Sequence, residues 1–285
     1  NVSGAMEMDD TRPPAVAEGF YPSNPEARRQ LVAELKSNVP KGIKPKRALA
    51  LMTPHAGLRY SGQIAMNVWS SVVIPSKMIV IGPKHTGYGR DWAISPSKDW
   101  ELPGGEKWKT DTELAQKIAS GVEGMELDLA AHAREHGIEI QLPILEALTD
   151  ADSRPTMVPI VMKGASLDEI MRAAEQLANV IRDLREQPLL VISSDMNHYA
   201  PEPENRRKDR LAIDAMLTGD PKKLVDVCQS ESISMCGLVP AALIMQTLIN
   251  LGQPFKVEEI GYDNSGSRSN PERVVGYAGV VFRKA

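Results

Sequence analysis

Three histidines stand just past three apolar runs, and their residue types set the chemistry open to them. His55 follows RALALM (47–52) inside TPHAGLRYSG, and His85 follows KMIVIG (77–82) inside IGPKHTGYG. Asp195 and His198 follow LLVISS (189–194) inside VISSDMNHY. Neutral imidazole is a common metal ligand and a proton carrier near neutral pH, so His55 and His85 read as metal ligands or as acid/base groups. The plainer reading is that each hydrogen-bonds a loop. Their recurrence at three strand exits, joined there by Asp195, favours one shared crevice.

Cys236, in SMCGLVPAAL, leads into an apolar helical pattern, where a thiol can be a soft metal ligand, a nucleophile or a small buried hydrophobe. Cys228, in LVDVCQS, reads as filler on a helix. The stretch AHAREHGIEIQLPIL holds His132, Glu135, His136 and Glu139. Its H-x-x-E-H spacing matches an inverted zincin motif, but Gly137 interrupts the helix that motif needs. No phosphate-binding glycine loop, dinucleotide fingerprint or G-x-S-x-G elbow occurs.

Such residues need a frame, and the chain supplies one. Besides the three runs above, TMVPIVM (156–162) is short, apolar and rich in branched residues, as a strand covered on both faces would be. Helical patterns fall near 62–72, 111–120, 135–149, 166–186, 204–217 and 237–251, and two further strands near 255–262 and 273–283. This alternation predicts an α/β single domain with a central mixed, mainly parallel sheet flanked by helices. In open sheets of that class, ligands bind beyond the carboxyl ends of the strands, where these histidines lie.

With 285 residues, 42% of them hydrophobic, the chain can bury a large core. A net charge of −4 argues against a nucleic-acid partner. No apolar run is long enough to span a membrane, and two cysteines are too few for a disulfide framework, so the expected setting is cytoplasmic. The opening NVSGAMEMDD lacks an initiator methionine. Residues 1–11 read as a cloning remnant and floppy lead, with the domain over 12–285.

Seven ordered blocks, RPPAVAEGFYP, PHAGLRYSG, GPKHTGYG, EHGIEIQLP, SSDMNHY, MCGLVP and YDNSGSRSN…VVGYAGVVF, together resemble the Memo family, called AmmeMemoRadiSam system protein B in bacteria and archaea. The resemblance implies a class III extradiol dioxygenase-like architecture. It further implies a metal site of His55, His85 and Cys236, lined by His136. His198 would be an acid/base group oriented by Asp195. Such ligands suit Fe(II), with copper as the alternative. A redox step on a small molecule is then expected, in a pathway shared with a radical SAM protein and an AMMECR-type protein. A thiolate in place of the dioxygenases' carboxylate argues against ring cleavage itself. Two competing readings are a non-catalytic phosphopeptide-binding module in the same pocket and a metal-free Cys–His hydrolase.

Overall fold

The computed structural model describes residues 10–285, so most of the lead expected over 1–11 lies outside the described residues. Thr11–Arg12 form a short strand, β1. Helix α1 (Pro25–Ser37) precedes β2 (Ala50–Thr53), α2 (Leu58–Ser70) and β3 (Lys77–Pro83). Short strands β4 (Trp92–Ile94), β5 (Asp99–Glu101) and β6 (Lys107–Lys109) lead to α3 (Thr112–Gly121), β7 (Glu126–Leu127) and α4 (Gln141–Leu148). Next come β8 (Thr156–Met162), α5 (Leu167–Arg182), β9 (Leu189–Ser193) and β10 (His198–Ala200). Helices α6 (Glu202–Leu217), α7 (Pro221–Ser230) and α8 (Leu238–Asn250) precede β11 (Phe255–Asn264) and β12 (Val274–Lys284).

A nine-stranded sheet runs β10-β12-β2-β9-β3-β8-β4-β7, with β11 also on β12. Its centre, β2-β9-β3-β8, is parallel. Pairing turns antiparallel at β12 against β2 and at β4 against β8, which makes the sheet mixed. Each central strand is buried along both faces, and the two-residue alternation sorts its side chains into two cores. Ala50, Met52, Ile79, Ile81, Leu190 and Ile192 join the cluster reached by α3 and α5 to α8. Leu51, Met78, Val80, Leu189 and Val191 join the cluster reached by α1, α2 and α4. This two-sided burial is why these strands read as unbroken apolar runs.

The parallel register puts the carboxyl ends of β2, β3 and β9 side by side, Thr53 beside Ser193 and Ile81 beside Ile192. The loops that leave there carry His55, His85 and Asp195. One expected helix starts later than its pattern. The pattern near 135–149 becomes helical only at Gln141, because residues 131–140 form turns pinned from elsewhere in the chain. The pin comes from a second, three-stranded sheet, β1-β5-β6, which carries Arg12. No helix among the described residues is long and apolar enough to cross a membrane.

Candidate metal centre

His55 is buried at the exit of β2, and every atom that could turn it is engaged. Its backbone N–H donates to Asp195 Oδ1 at 2.8 Å. Its Nδ1 lies 2.8 Å from Ser193 Oγ, whose single proton is already given to the Gly137 carbonyl at 2.6 Å. Ser193 must therefore accept from His55 Nδ1–H, which leaves the Nε2 lone pair free. Cys236 Sγ lies 3.3 Å from that Nε2. His85, past β3, is fixed in the same sense by a carboxylate. Glu135 accepts from its backbone N–H and, at 2.7 Å, from Nδ1, which turns Nε2 away from the carboxylate and toward the other two rings. Glu135 also accepts from the His136 N–H at 3.0 Å.

These contacts gather three imidazoles. One donor atom from each of His55, His85 and His136 lies within 4.8 Å of the other two. The His85 and His136 rings stack with centroids 4.4 Å apart, His55 meets both edge-on, and Phe20 stacks on the outer face of His136 at 4.4 Å. Burial, helped by the neighbouring rings, pushes His55 and His136 down to about 3, so both are neutral at ordinary pH. Burial alone would raise Glu135, but the His85 hydrogen bond and charge outweigh it and hold that carboxyl at about 2. Neutral nitrogens whose far side is tied to a hydroxyl or carboxylate are the donor set a transition metal requires.

His136, expected to line the crevice, thus stands within the nitrogen group. Cys236, expected as the third ligand, stands at its edge against His55. Its Sγ also accepts from the Asp195 N–H at 3.2 Å. Ligands of one ion, held at about 2.1 Å for nitrogen and 2.3 Å for sulfur, sit roughly 3.5 Å apart, so a 3.3 Å contact lets His55 and Cys236 share one. Burial, then the Asp195 charge, pushes the thiol up to about 12, so in the absence of an ion it keeps its proton. Gly237 is what lets the Cys236 turn approach β9. A Cβ there would stand 2.4 Å from Ser194 Cβ and 2.9 Å from the Ser193 carbonyl.

Asp195 and His198 stand beside the group. Burial raises the Asp195 carboxyl, and it bonds the His55 backbone rather than a ring. His198 is partly exposed. Its Nδ1 lies 3.3 Å from the Ser234 carbonyl, which can only accept, so Nδ1 carries the proton of that bond. His132 takes no part, since its buried ring faces the Ala93 carbonyl at 2.9 Å and packs edge-on to Trp100. With 131–140 in turns and Glu135 spent on His85, the zincin-like spacing has no structural counterpart.

A model of the family described as "Memo-like protein" matches residues 12–281. The chain belongs to the Memo family. A MEMO1 family protein of Archaeoglobus fulgidus is 35% identical over 272 residues, 95% of this chain and 99% of that protein. A MEMO1 family protein of Aquifex aeolicus is 36% identical over 273 residues, 95% of this chain and 98% of that protein. Among solved structures, an uncharacterized protein from Escherichia coli K12 superposes with a TM-score of 0.58 at 14% identity. That match covers 82% of this chain and 99% of the other, and shows the fold alone.

Sequence reasoning missed two supports. Ser193 sets the His55 tautomer, and only its strand-exit position hinted at a role. Arg12 donates to the carbonyls of His132 at 2.9 Å and Glu135 at 2.7 Å and pairs with Glu139 at 2.7 Å, so it shapes the loop carrying Glu135 and His136. Glu139 is further bound by Tyr21 OH at 2.7 Å. Arg12 lies over 100 residues from its partners along the chain, so no local pattern could mark it.

Proposed function

We propose that this Memo-family chain is a redox-active metalloprotein acting on a small molecule. His55, His85 and His136 supply the nitrogen ligands, and Cys236 joins them once an ion displaces its proton. Imidazole with thiolate suits iron(II) first and copper second. The bound ion would supply electron transfer and polarisation of a coordinated ligand. The protein's own groups do the rest. Ser193 and Glu135 hold two imidazoles in the ligating tautomer, and the Asp195 N–H fixes the sulfur. Asp195 Oδ1 anchors the backbone of His55, and His198, with Nδ1 on the Ser234 carbonyl, would serve through Nε2 as the acid/base group. The radical SAM and AMMECR-type partners implied by the family belong to this same reading, as neighbouring steps of one pathway.

The observation that carries the proposal is the convergence of three imidazoles, two of them with Nδ1 tied back to a hydroxyl or a carboxylate. The 3.3 Å Cys236–His55 contact, with Ser193 behind the ring, also has the outline of a thiol–imidazole pair. That pair would need the thiol acidified and the imidazole made basic, whereas burial drives both the other way. A phosphopeptide pocket fares no better, because the ionised Glu135 carboxylate beside the imidazoles disfavours a dianion. Anaerobic metal analysis of the wild type with His55→Ala and Cys236→Ser tests the reading. About one equivalent of iron or copper, lost in His55→Ala and weakened in Cys236→Ser, is expected. No ion taken up when Fe(II) is supplied under reducing conditions would overturn it.

A further inference from the structure

Three loops of the centre, those carrying His55, His85 and His198, also carry an exposed tyrosine. Tyr60 follows His55 in the first turn of α2, Tyr88 follows His85, and Tyr199 follows His198, with 42%, 54% and 58% of their surfaces exposed. Each lies beside residues of the site. Tyr60 shares a cleft with Phe20, the residue stacked on His136. The Arg134 guanidinium, from the His136 loop, lies 5.2 Å over the Tyr88 ring. The Tyr199 ring meets His198 at 5.5 Å and carries the Arg273 guanidinium at 4.5 Å on its face. Arg59 adjoins Tyr60 in the chain.

Two features leave this rim open to an anion. Arg59, Arg134 and Arg273 form no ion pair with a described residue, a state they share with Arg47, Arg154, Arg182 and Arg185 elsewhere on the molecule, whereas the other ten arginines are paired. Glu18, the acid within electrostatic reach of Arg59, is turned onto the Ser23 N–H and hydroxyl. In addition, Tyr199 has φ +72°, a left-handed backbone that is costly for a residue with a large side chain and that concentrates at ligand sites. The fold accepts that cost to hold an apolar ring in solvent beside His198.

We propose that this rim selects the substrate, and that the substrate is a small organic polyanion. Its acid groups meet the three guanidinium groups, its flat or apolar body lies over the tyrosines, and its reacting end reaches the imidazole group. Arginine suits this task because it can stack on a ring face and still present donors to a carboxylate. The inference rests on the metal-site reading for where the reacting end goes.

Calorimetric titration with trimesate, a flat aromatic trianion, tests it against benzoate and the neutral trimesamide. Trimesate should bind more tightly than benzoate, and trimesamide should not bind. Arg134→Gln and Arg273→Gln should each weaken trimesate by about threefold or more, while Arg47→Gln, before the amino end of β2 and so at the opposite end of the strands, leaves it unchanged. Tyr199→Gly should weaken binding without lowering the melting temperature, since glycine relieves the left-handed backbone. Equal binding of trimesamide, no measurable trimesate binding, or an equal loss in Arg47→Gln would overturn the proposal. Titrations on chelator-treated and Fe(II)-loaded protein separate the two readings. A bound ion without trimesate discrimination sinks the rim alone. Discrimination without a bound ion sinks the metal reading and leaves a polyanion site.

Discussion

The two walls of the centre are built from different materials. The wall carrying His85 and His136 is held by buried charge: Arg12 with Glu139, and Glu135 with His85. The wall carrying Cys236 and His198 is held mostly by hydroxyls and amides. Asn197 Oδ1 accepts from the Ser234 N–H at 2.8 Å, Ser234 Oγ accepts from the His198 N–H at 2.9 Å, and Ser194 Oγ accepts from the Gly237 N–H at 2.8 Å. Of its two buried carboxyls, Asp195 holds the His55 backbone, and Asp209 accepts from the Asn197 N–H at 2.8 Å and from Tyr262 OH at 2.6 Å. A wall made of turns that belong to no regular element needs strong, long-range pins. A wall that springs directly from β9 and leads into α8 needs only uncharged hydrogen bonds between its two segments.

The largest effect should come from breaking the charged wall. Arg12→Met leaves Glu139 buried without its cation, and such a break costs about 3–5 kcal/mol. The urea midpoint should fall accordingly, with metal affinity falling too because the His136 loop loosens. A cost near that of a surface substitution would show that the pin is dispensable.

Next in size are opposite responses to pH. Burial holds His132 down at about 4 against an ordinary 6.5. The unfolded chain then binds the extra proton between those values, so this residue's contribution to stability is lost as pH falls, by about 3 kcal/mol in all. Burial, only partly opposed by the Tyr262, Asn197 and Asn205 hydrogen bonds, holds Asp209 up at about 6 against 3.8. There the folded state binds the extra proton, and stability falls as pH rises through that window, again by about 3 kcal/mol. Urea unfolding across this range should show the acid loss shrinking in His132→Gln and steepening in Asp209→Asn. Unchanged slopes would remove the distinction between the walls.

The difference also marks what the sequence could reveal. His55 and His85 were legible because an apolar run followed by a proline- or glycine-bearing turn is a local signal. The central strands and the parallel core were legible for the same reason. His136 was harder to place, because its neighbourhood looks helical until Arg12, far away in the chain, captures the carbonyls of 132 and 135. Strands β1, β5, β6 and β7 are two or three residues long and carry no period to detect. Helix α1 was overlooked because it buries only Arg28 and Val32, too narrow a face to stand out.

Smaller effects probe the second wall. Gly237→Ala forces a methyl against Ser194 and the Ser193 carbonyl, so a loss of about 1–3 kcal/mol is expected in thermal unfolding. Ser193→Ala should fold normally but bind metal about 10- to 100-fold more weakly, because His55 is no longer held in its ligating tautomer. An unchanged dissociation constant would mean the hydroxyl only fills space.

X-ray absorption on the Fe(II)-loaded protein, compared with Cys236→Ser, reads the ligand shell that all of this serves. A shell of imidazole nitrogens with one sulfur, the sulfur gone in Cys236→Ser and the imidazole scattering reduced in His136→Ala, is the expected result. A shell of oxygens only, indifferent to both substitutions, would place the ion elsewhere and contradict the centre described here.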